Sequence, residues 1–262
     1  MLAGDNLKAV ARLVVAVSAI VGLAALTQPP RTLRILFIGN SLTAANDLPA
    51  IVESLARARG DVLAKTTAVT AGNFSLEDHW NQGNARPAIA KGGWTFVLLQ
   101  QGPSALPESR VLLRDYVKRF AGDARKVGAH TALYMVWPAK ARSQDFDRVS
   151  ESYALAARDV GGLLLPVGDA WREAWGRDPS LALYADDDFH PSRLGSYLAA
   201  LTIWRALSET SVVGLPAPGG VNPSTARLLQ EAADRVVAAA PAAKEFSPVL
   251  RGPRPTESAD LR

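Results

Sequence analysis

The chain has 262 residues, 48% of them hydrophobic and 21% charged, and a formal net charge of +4, the profile of one sizeable globular domain rather than a disordered or fibrous chain. That charge is mild and no block of Lys and Arg with interleaved aromatics occurs, which argues against nucleic-acid binding. The absence of cysteine removes disulfides, thiolate chemistry and cysteine-based zinc sites.

The first thirty residues differ from the rest. Lys8 and Arg12 precede Leu13 to Leu26, an uncharged apolar run, with the small residues Ala24, Ala25 and Thr27 around its end. A basic start, a short apolar core and small residues around its end predict a secretory signal. The core is short for a membrane span, which takes about twenty residues, but an uncleaved anchor stays open. Residues 1–30 are therefore expected to be a signal peptide or an N-terminal membrane anchor. The protein is expected to be exported, periplasmic or extracellular, with any membrane contact confined to residues 13–26. Residues 31–246 are expected to form one domain, and 247–262, rich in Pro, Arg and Ser without periodicity, a disordered tail.

Leu33 to Ile38 is an apolar, partly β-branched run stopped by Gly39-Asn40-Ser41, the pattern of a buried strand entering a turn. In open α/β sheets ligands bind at the carboxyl ends of strands, so Ser41 is a candidate nucleophile. A turn or cap role is the plainer alternative for a Gly-Asn-Ser triplet. Leu48 to Arg59 places Leu48, Ile51, Val52, Leu55 and Ala56 on one helical face, and Gly60 ends it. Val62 to Val69 is a second strand, running into Thr70-Ala71-Gly72-Asn73. Gly72 is either a turn residue or a point where a backbone N–H approaches a ligand closely. Ser75 to Gln82 is a polar helical stretch carrying His79 and Trp80. For Trp80 core packing competes with a wall of the pocket.

Trp94 to Gln100 is the third strand and leads into Gln101-Gly102-Pro103-Ser104. Pro107 to Val127 has Leu112, Leu113, Tyr116, Val117 and Phe120 at helical spacing. Thr131 to Pro138 is a fourth strand, with His130 at its edge. Asp145 to Val160 is helical, Gly162 to Val167 is a fifth strand, and a helix follows Gly168-Asp169 through Trp175. Helices are also expected at Arg193 to Ser208 and Ser224 to Ala240. Strands alternating with helices in this rhythm predict a parallel sheet with helices on both faces.

Directly before the helix Arg193 to Ser208 stands Asp186-Asp187-Asp188-Phe189-His190-Pro191-Ser192. Asp187 and His190 are three apart, so a carboxylate and an imidazole can meet beside a helix start. A serine hydroxyl needs such a pair: the imidazole takes its proton and the carboxylate fixes the tautomer. Of the three histidines, at 79, 130 and 190, only His190 has an aspartate at useful spacing. His79 stays a candidate for the pocket, but Glu77 and Asp78 point elsewhere on its helix and leave it a poor base.

The GNS block near the amino end and the DxxHPS block near the carboxyl end resemble those of the SGNH (GDSL-like) hydrolase superfamily, and the resemblance extends over roughly residues 33 to 208. It implies a three-layer α/β/α sandwich with a flavodoxin-like, mainly parallel sheet of about five strands. It further implies a serine esterase in which Ser41 is the nucleophile and Asp187 and His190 complete the triad. The oxyanion would be held by the N–H groups of Ser41 and Gly72. The commonest form of the family differs in two places. Its GDS has an Asp where Asn40 stands, and its GxND block, whose Asn supplies an oxyanion donor, is missing. Relatives with a Gln-Gly-Glu-Ser pattern use the Gln amide instead, which selects Gln101. Ser104, on the ungapped match to the Asn, and Gln100 are the alternatives.

No cofactor is expected. A metal on Asp186 to Asp188 and His190 is a weaker reading, because no second cluster of ligands accompanies them. Nucleotide binding is disfavoured by the lack of glycine-rich phosphate loops. The expected partner is a small-molecule or glycan ester, with short acyl or O-acetyl groups on carbohydrate leading and a lipid ester as the alternative. A non-catalytic exported binding module on the same scaffold is a further alternative. Nothing in the sequence fixes the oligomeric state.

Overall fold

A computed structural model describes residues 30–240 of the protein. The signal or anchor expected over 1–30, except Pro30, and the tail expected over 247–262 lie outside the described residues.

Five strands form one sheet: β1 (Arg31–Gly39), β2 (Val62–Thr70), β3 (Phe96–Leu99), β4 (His130–Tyr134) and β5 (Leu163–Leu165), in the order β2-β1-β3-β4-β5. The sheet is parallel throughout, with Ile35 opposite Phe96, Phe96 opposite His130 and Ala132 opposite Leu163. Ile35 to Gly39 in β1 and all of β3 are buried, as continuous apolar runs covered on both faces should be. The edge strand β2 is far more exposed and polar.

Two strands are shorter than the apolar runs that contain them. The run 131–138 leaves the sheet after Tyr134, although Met135 to Pro138 stay buried. Its neighbour β5 ends at Leu165, where the Met135 N–H donates to Leu165 O at 3.1 Å, and just past it the Gly168 N–H donates to Met135 O at 3.2 Å. That neighbour ends early because Pro166 has no N–H for a ladder and caps the next helix, which starts at Val167.

The helices are α1 (Ser41–Ala44), α2 (Leu48–Arg59), α3 (Leu76–Gln82), α4 (Ala85–Ala90), α5 (Pro107–Lys126), α6 (Phe146–Val160), α7 (Val167–Arg177), α8 (Arg193–Ser208) and α9 (Pro223–Ala239). They sort into two layers, α2, α7, α8 and α9 packing together, and α3, α4, α5 and α6 together. That sorting follows from right-handed crossovers, because the chain moves one way from β1 to β2 and the other way from β3 to β5. Helix α8 is apolar nearly all round and buried along most of its length, as the centre of its layer must be. The short helix α4 was not visible as a separate element in the sequence, where its Gly- and Pro-punctuated surroundings carry no period.

The reversal of strand order falls between β1 and β3. The chain after each leaves in opposite directions, and a crevice opens at the carboxyl ends of the two strands. Asn40-Ser41 and Gln101-Gly102 form part of its walls.

Candidate active site

The turn after β1 is built around Gly39. A Cβ there would run into the Gln100 side-chain oxygen and the Thr43 hydroxyl, so only glycine lets these groups close in. Asn40 then does several jobs. Its Oδ1 accepts the Leu42 N–H at 3.1 Å and caps α1, its Nδ2 donates to Phe74 O at 3.1 Å, and its own N–H donates to Gln100 Oε1 at 2.9 Å. The fully buried Gln100 completes the brace: Oε1 also accepts the Thr43 hydroxyl at 2.7 Å, and Nε2 donates to Asn40 Oδ1 at 2.9 Å and Gln101 O at 2.6 Å. Its amide is therefore engaged beneath the turn. Ser41 stands first in α1 and is not needed as its cap.

The turn after β2 is tied to the same place. Ala71 N–H donates to Gly39 O at 3.3 Å, and Phe74 N–H closes the Ala71–Phe74 turn at 3.3 Å with Gly72 inside it. Asn73 sits at φ 60°, a backbone region that Asn tolerates better than most residues. No atom among the described residues crowds the Cβ position of Gly72. After β3, Gln101 Oε1 accepts the Leu76 N–H at 3.1 Å, which fixes the amide's orientation because that N–H can only donate. Its Nε2 consequently faces Ser104 Oγ at 2.8 Å and, more distantly, Ser109 O at 3.4 Å. Ser104 is held at φ 57° and its hydroxyl donates to Gly102 O at 3.1 Å.

Residues 184–192 fold into a closed loop. Ala185 N–H donates to His190 O and Ser192 N–H to Leu183 O, both at 2.8 Å, around a bridge between Tyr184 and Pro191. Ser192 caps α8 through Gly195 N–H at 3.1 Å, and Gly195 is required there because a Cβ would strike Leu183 O and the Trp171 ring. Trp137 Nε1 holds Phe189 O at 3.0 Å from the other side. Within this loop Asp187 Oδ1 accepts the N–H groups of Phe189 at 3.1 Å and His190 at 2.8 Å, and Oδ2 lies 2.5 Å from His190 Nδ1.

Ser41 Oγ is 2.8 Å from His190 Nε2, across 149 residues of sequence. With the Nδ1 proton on the carboxylate side, Nε2 is an acceptor facing the hydroxyl. The His190 ring and the two backbone N–H groups hold the Asp187 carboxyl down at about 2. It is thus ionised at any neutral pH, although half of its side chain is open to solvent. Asn46 ties the two blocks together independently. Its Nδ2 donates to Pro191 O at 3.0 Å and Ser196 Oγ at 2.9 Å.

Ser41 opens on a cleft of about 510 Å³ whose walls also include Asn40, Asn73, Gln101, Ser104 and Phe189. His79 is not in it. It is buried under the β1 turn, where its Nε2 donates to Gly39 O at 2.8 Å, and burial lowers its pKa. Trp80 also faces elsewhere, packing edge-on against Phe120 at 5.1 Å with Arg86 over its ring at 4.3 Å. The acidic cluster is divided, Asp187 serving His190 and Asp188 pairing with Lys140 Nζ at 2.8 Å. No three metal-ligating side chains converge among the described residues, and no helix among them is long and apolar enough to cross a membrane.

No protein-family model matches the chain, and no curated protein does. Solved structures do. A protein from Slackia heliotrinireducens classed among the SGNH hydrolases is 30% identical, with a TM-score of 0.58, over 68% of this chain and 100% of its own. A DUF4886 family protein from Bacteroides uniformis aligns over 79% of this chain and 95% of its own at 19% identity and a TM-score of 0.69. The lipase/acylhydrolase of Enterococcus faecalis aligns over 66% and 94% at 15% identity and a TM-score of 0.52, a likeness of fold.

Proposed function

We propose that this chain, which belongs to the SGNH hydrolase superfamily, is a serine esterase acting through Ser41, His190 and Asp187. The observation that carries the proposal is the continuous contact from Ser41 Oγ through the His190 ring to Asp187 Oδ2, at 2.8 and 2.5 Å. Ser41 Oγ attacks the ester carbonyl carbon while its proton passes to His190 Nε2. Asp187 keeps the ring oriented and stabilises the imidazolium. The tetrahedral intermediate collapses as His190 returns the proton to the departing alcohol. A water, deprotonated by the same nitrogen, then releases the acyl group from Ser41.

The carbonyl oxygen, negative in the intermediate, is held by the N–H groups of Ser41 and Gly72 and by the Gln101 amide. Gln101 would exchange its bond to the neutral Ser104 hydroxyl for a charge-assisted one, which is roughly twice as strong. Gln101→Ala is expected to lower kcat by about 10²- to 10³-fold with little change in KM. Near-normal kcat in Gln101→Ala beside a crippled Ser104→Ala would transfer the role to Ser104.

Export, expected from residues 1–30, would bring the enzyme to envelope glycans and lipids, and a short acyl group on carbohydrate is the leading substrate. A lipid ester has one observation in its favour: Leu106 and Leu112, 43% and 37% exposed, stand in the cleft wall. A chain-length series of 4-nitrophenyl esters separates the two, acetate above octanoate supporting the first and the reverse order the second. A fluorophosphonate should label Ser41. No labelling and no hydrolysis of any ester would leave a binding module on a hydrolase scaffold.

A further inference from the structure

Arg142 and Asp145 are the charged residues among those lining the cleft, whose other walls are apolar or neutral. The Asp145 side chain is only 3% exposed, and a buried carboxylate needs partners. It has two: Arg142 places Nε at 2.7 Å and Nη2 at 2.5 Å from Oδ2, and Arg148 Nη1 stands 3.5 Å from Oδ1. Two guanidinium groups on one carboxylate leave one positive charge over. Asp145 also holds the N-cap position of α6 without capping it, its backbone at φ −88° and ψ −2° turning the carboxylate toward the arginines instead. Arg142 itself breaks the 3₁₀ turn of Lys140–Asp145, with φ −121° and ψ 28°.

The outcome is a guanidinium fixed along one edge by a buried anion. The Arg142 side chain is nevertheless 49% exposed, and its Nη1 has no acceptor among the described residues. A planar fork anchored on one side and offered on the other suits a second carboxylate. Neutralising Asp145 alone would need neither two arginines nor an open edge on the cleft.

We propose that Arg142, clamped by Asp145, binds a carboxylate on the substrate, which makes the preferred substrate an acidic ester. The proposal rests on the esterase assignment. Since the leading acyl group is short, the carboxylate belongs to the alcohol part, as in an O-acetylated acidic sugar. Such a contact is made in ground state and transition state alike, so it acts chiefly on KM.

The test compares hydrolysis of 3-acetoxybenzoate with that of its neutral isostere 3-acetoxybenzamide, in the wild-type chain, Arg142→Gln and Arg142→Lys. The ratio of kcat/KM for the acid over the amide should fall roughly 10- to 100-fold in Arg142→Gln, mostly through KM of the acid. It should recover in part in Arg142→Lys and shrink in the wild type as salt is added. Because the ratio is taken within each variant, a loss of folded protein does not move it. An unchanged ratio in Arg142→Gln, with both esters hydrolysed, overturns the proposal and leaves the esterase assignment standing. Hydrolysis of neither ester, with Ser41 unlabelled by a fluorophosphonate, overturns both.

Discussion

Ser41→Ala is expected to lower turnover of 4-nitrophenyl acetate by roughly 10⁴- to 10⁶-fold, the range seen when a member of a catalytic triad is removed. Residual rate should come from the N–H groups around the oxyanion, which the substitution leaves in place. Stability should change by no more than about 1 kcal/mol, and the reason lies in the division of labour at the turn. Helix α1 is capped by Asn40, and the strand end is braced by Gln100 and Thr43. The Ser41 side chain contributes one hydrogen bond, to His190. Melting curves and ester kinetics on the same preparation check both halves of the expectation. Undiminished activity would remove Ser41 from the nucleophile's role.

Much of the architecture could be read because the decisive signals are local. An apolar run closed by Gly-Asn-Ser can hardly be other than a buried strand entering a turn, and β1 lies there. Arg193 to Ser208 is a helix with the bounds its sequence implies, since Ser192 is a good cap and the run that follows is apolar and unbroken. Strand ends were less legible because partners set them. Met135 to Pro138 are as apolar as a strand, but β5 is too short to pair with them. Hidden for the same reason was Asn46, whose two acceptors lie 145 and 150 residues away. Its one local mark is the backbone, with Asn46 and Asp47 both at φ 54°, a conformation that Asn and Asp accept most readily. Gln100 and Gln101 are adjacent and alike in sequence, yet alternation along the chain sends one beneath the turn and the other into the cleft wall. The Arg142–Asp145 clamp left no trace in pattern at all, because a charged helix start usually means a solvated cap.

The two histidines near the nucleophile should separate activity from stability. His190→Ala is expected to lose several orders of magnitude in kcat/KM. The fold should be little affected, because the loop that carries His190 is held by main-chain bonds of Ala185 and Ser192 and by the Trp137 indole. His79→Ala should do the reverse. Its ring is buried and its Nε2 donates to Gly39 O, so truncation leaves a cavity and weakens the seat of the β1 turn. Losing that bond alone costs about 1–3 kcal/mol when the acceptor is stranded. The cost is softened because Gly39 O keeps the Ala71 N–H at 3.3 Å. Correctly folded His79→Ala should retain at least about a tenth of the wild-type rate, since His79 touches neither Ser41 nor the cleft. Acidification offers an independent check. Burial depresses the His79 pKa below its usual 6.5, so the unfolded chain takes up that proton first. The stability His79 contributes is therefore complete above pH 6.5 and is lost as pH falls toward the lower folded value. Replacing His79 with Gln should flatten the stability–pH curve in that window, whereas replacing His190 should act on the rate. Comparable losses of rate from His79→Ala and His190→Ala, both folded, would mean that the imidazole serving Ser41 has been misassigned.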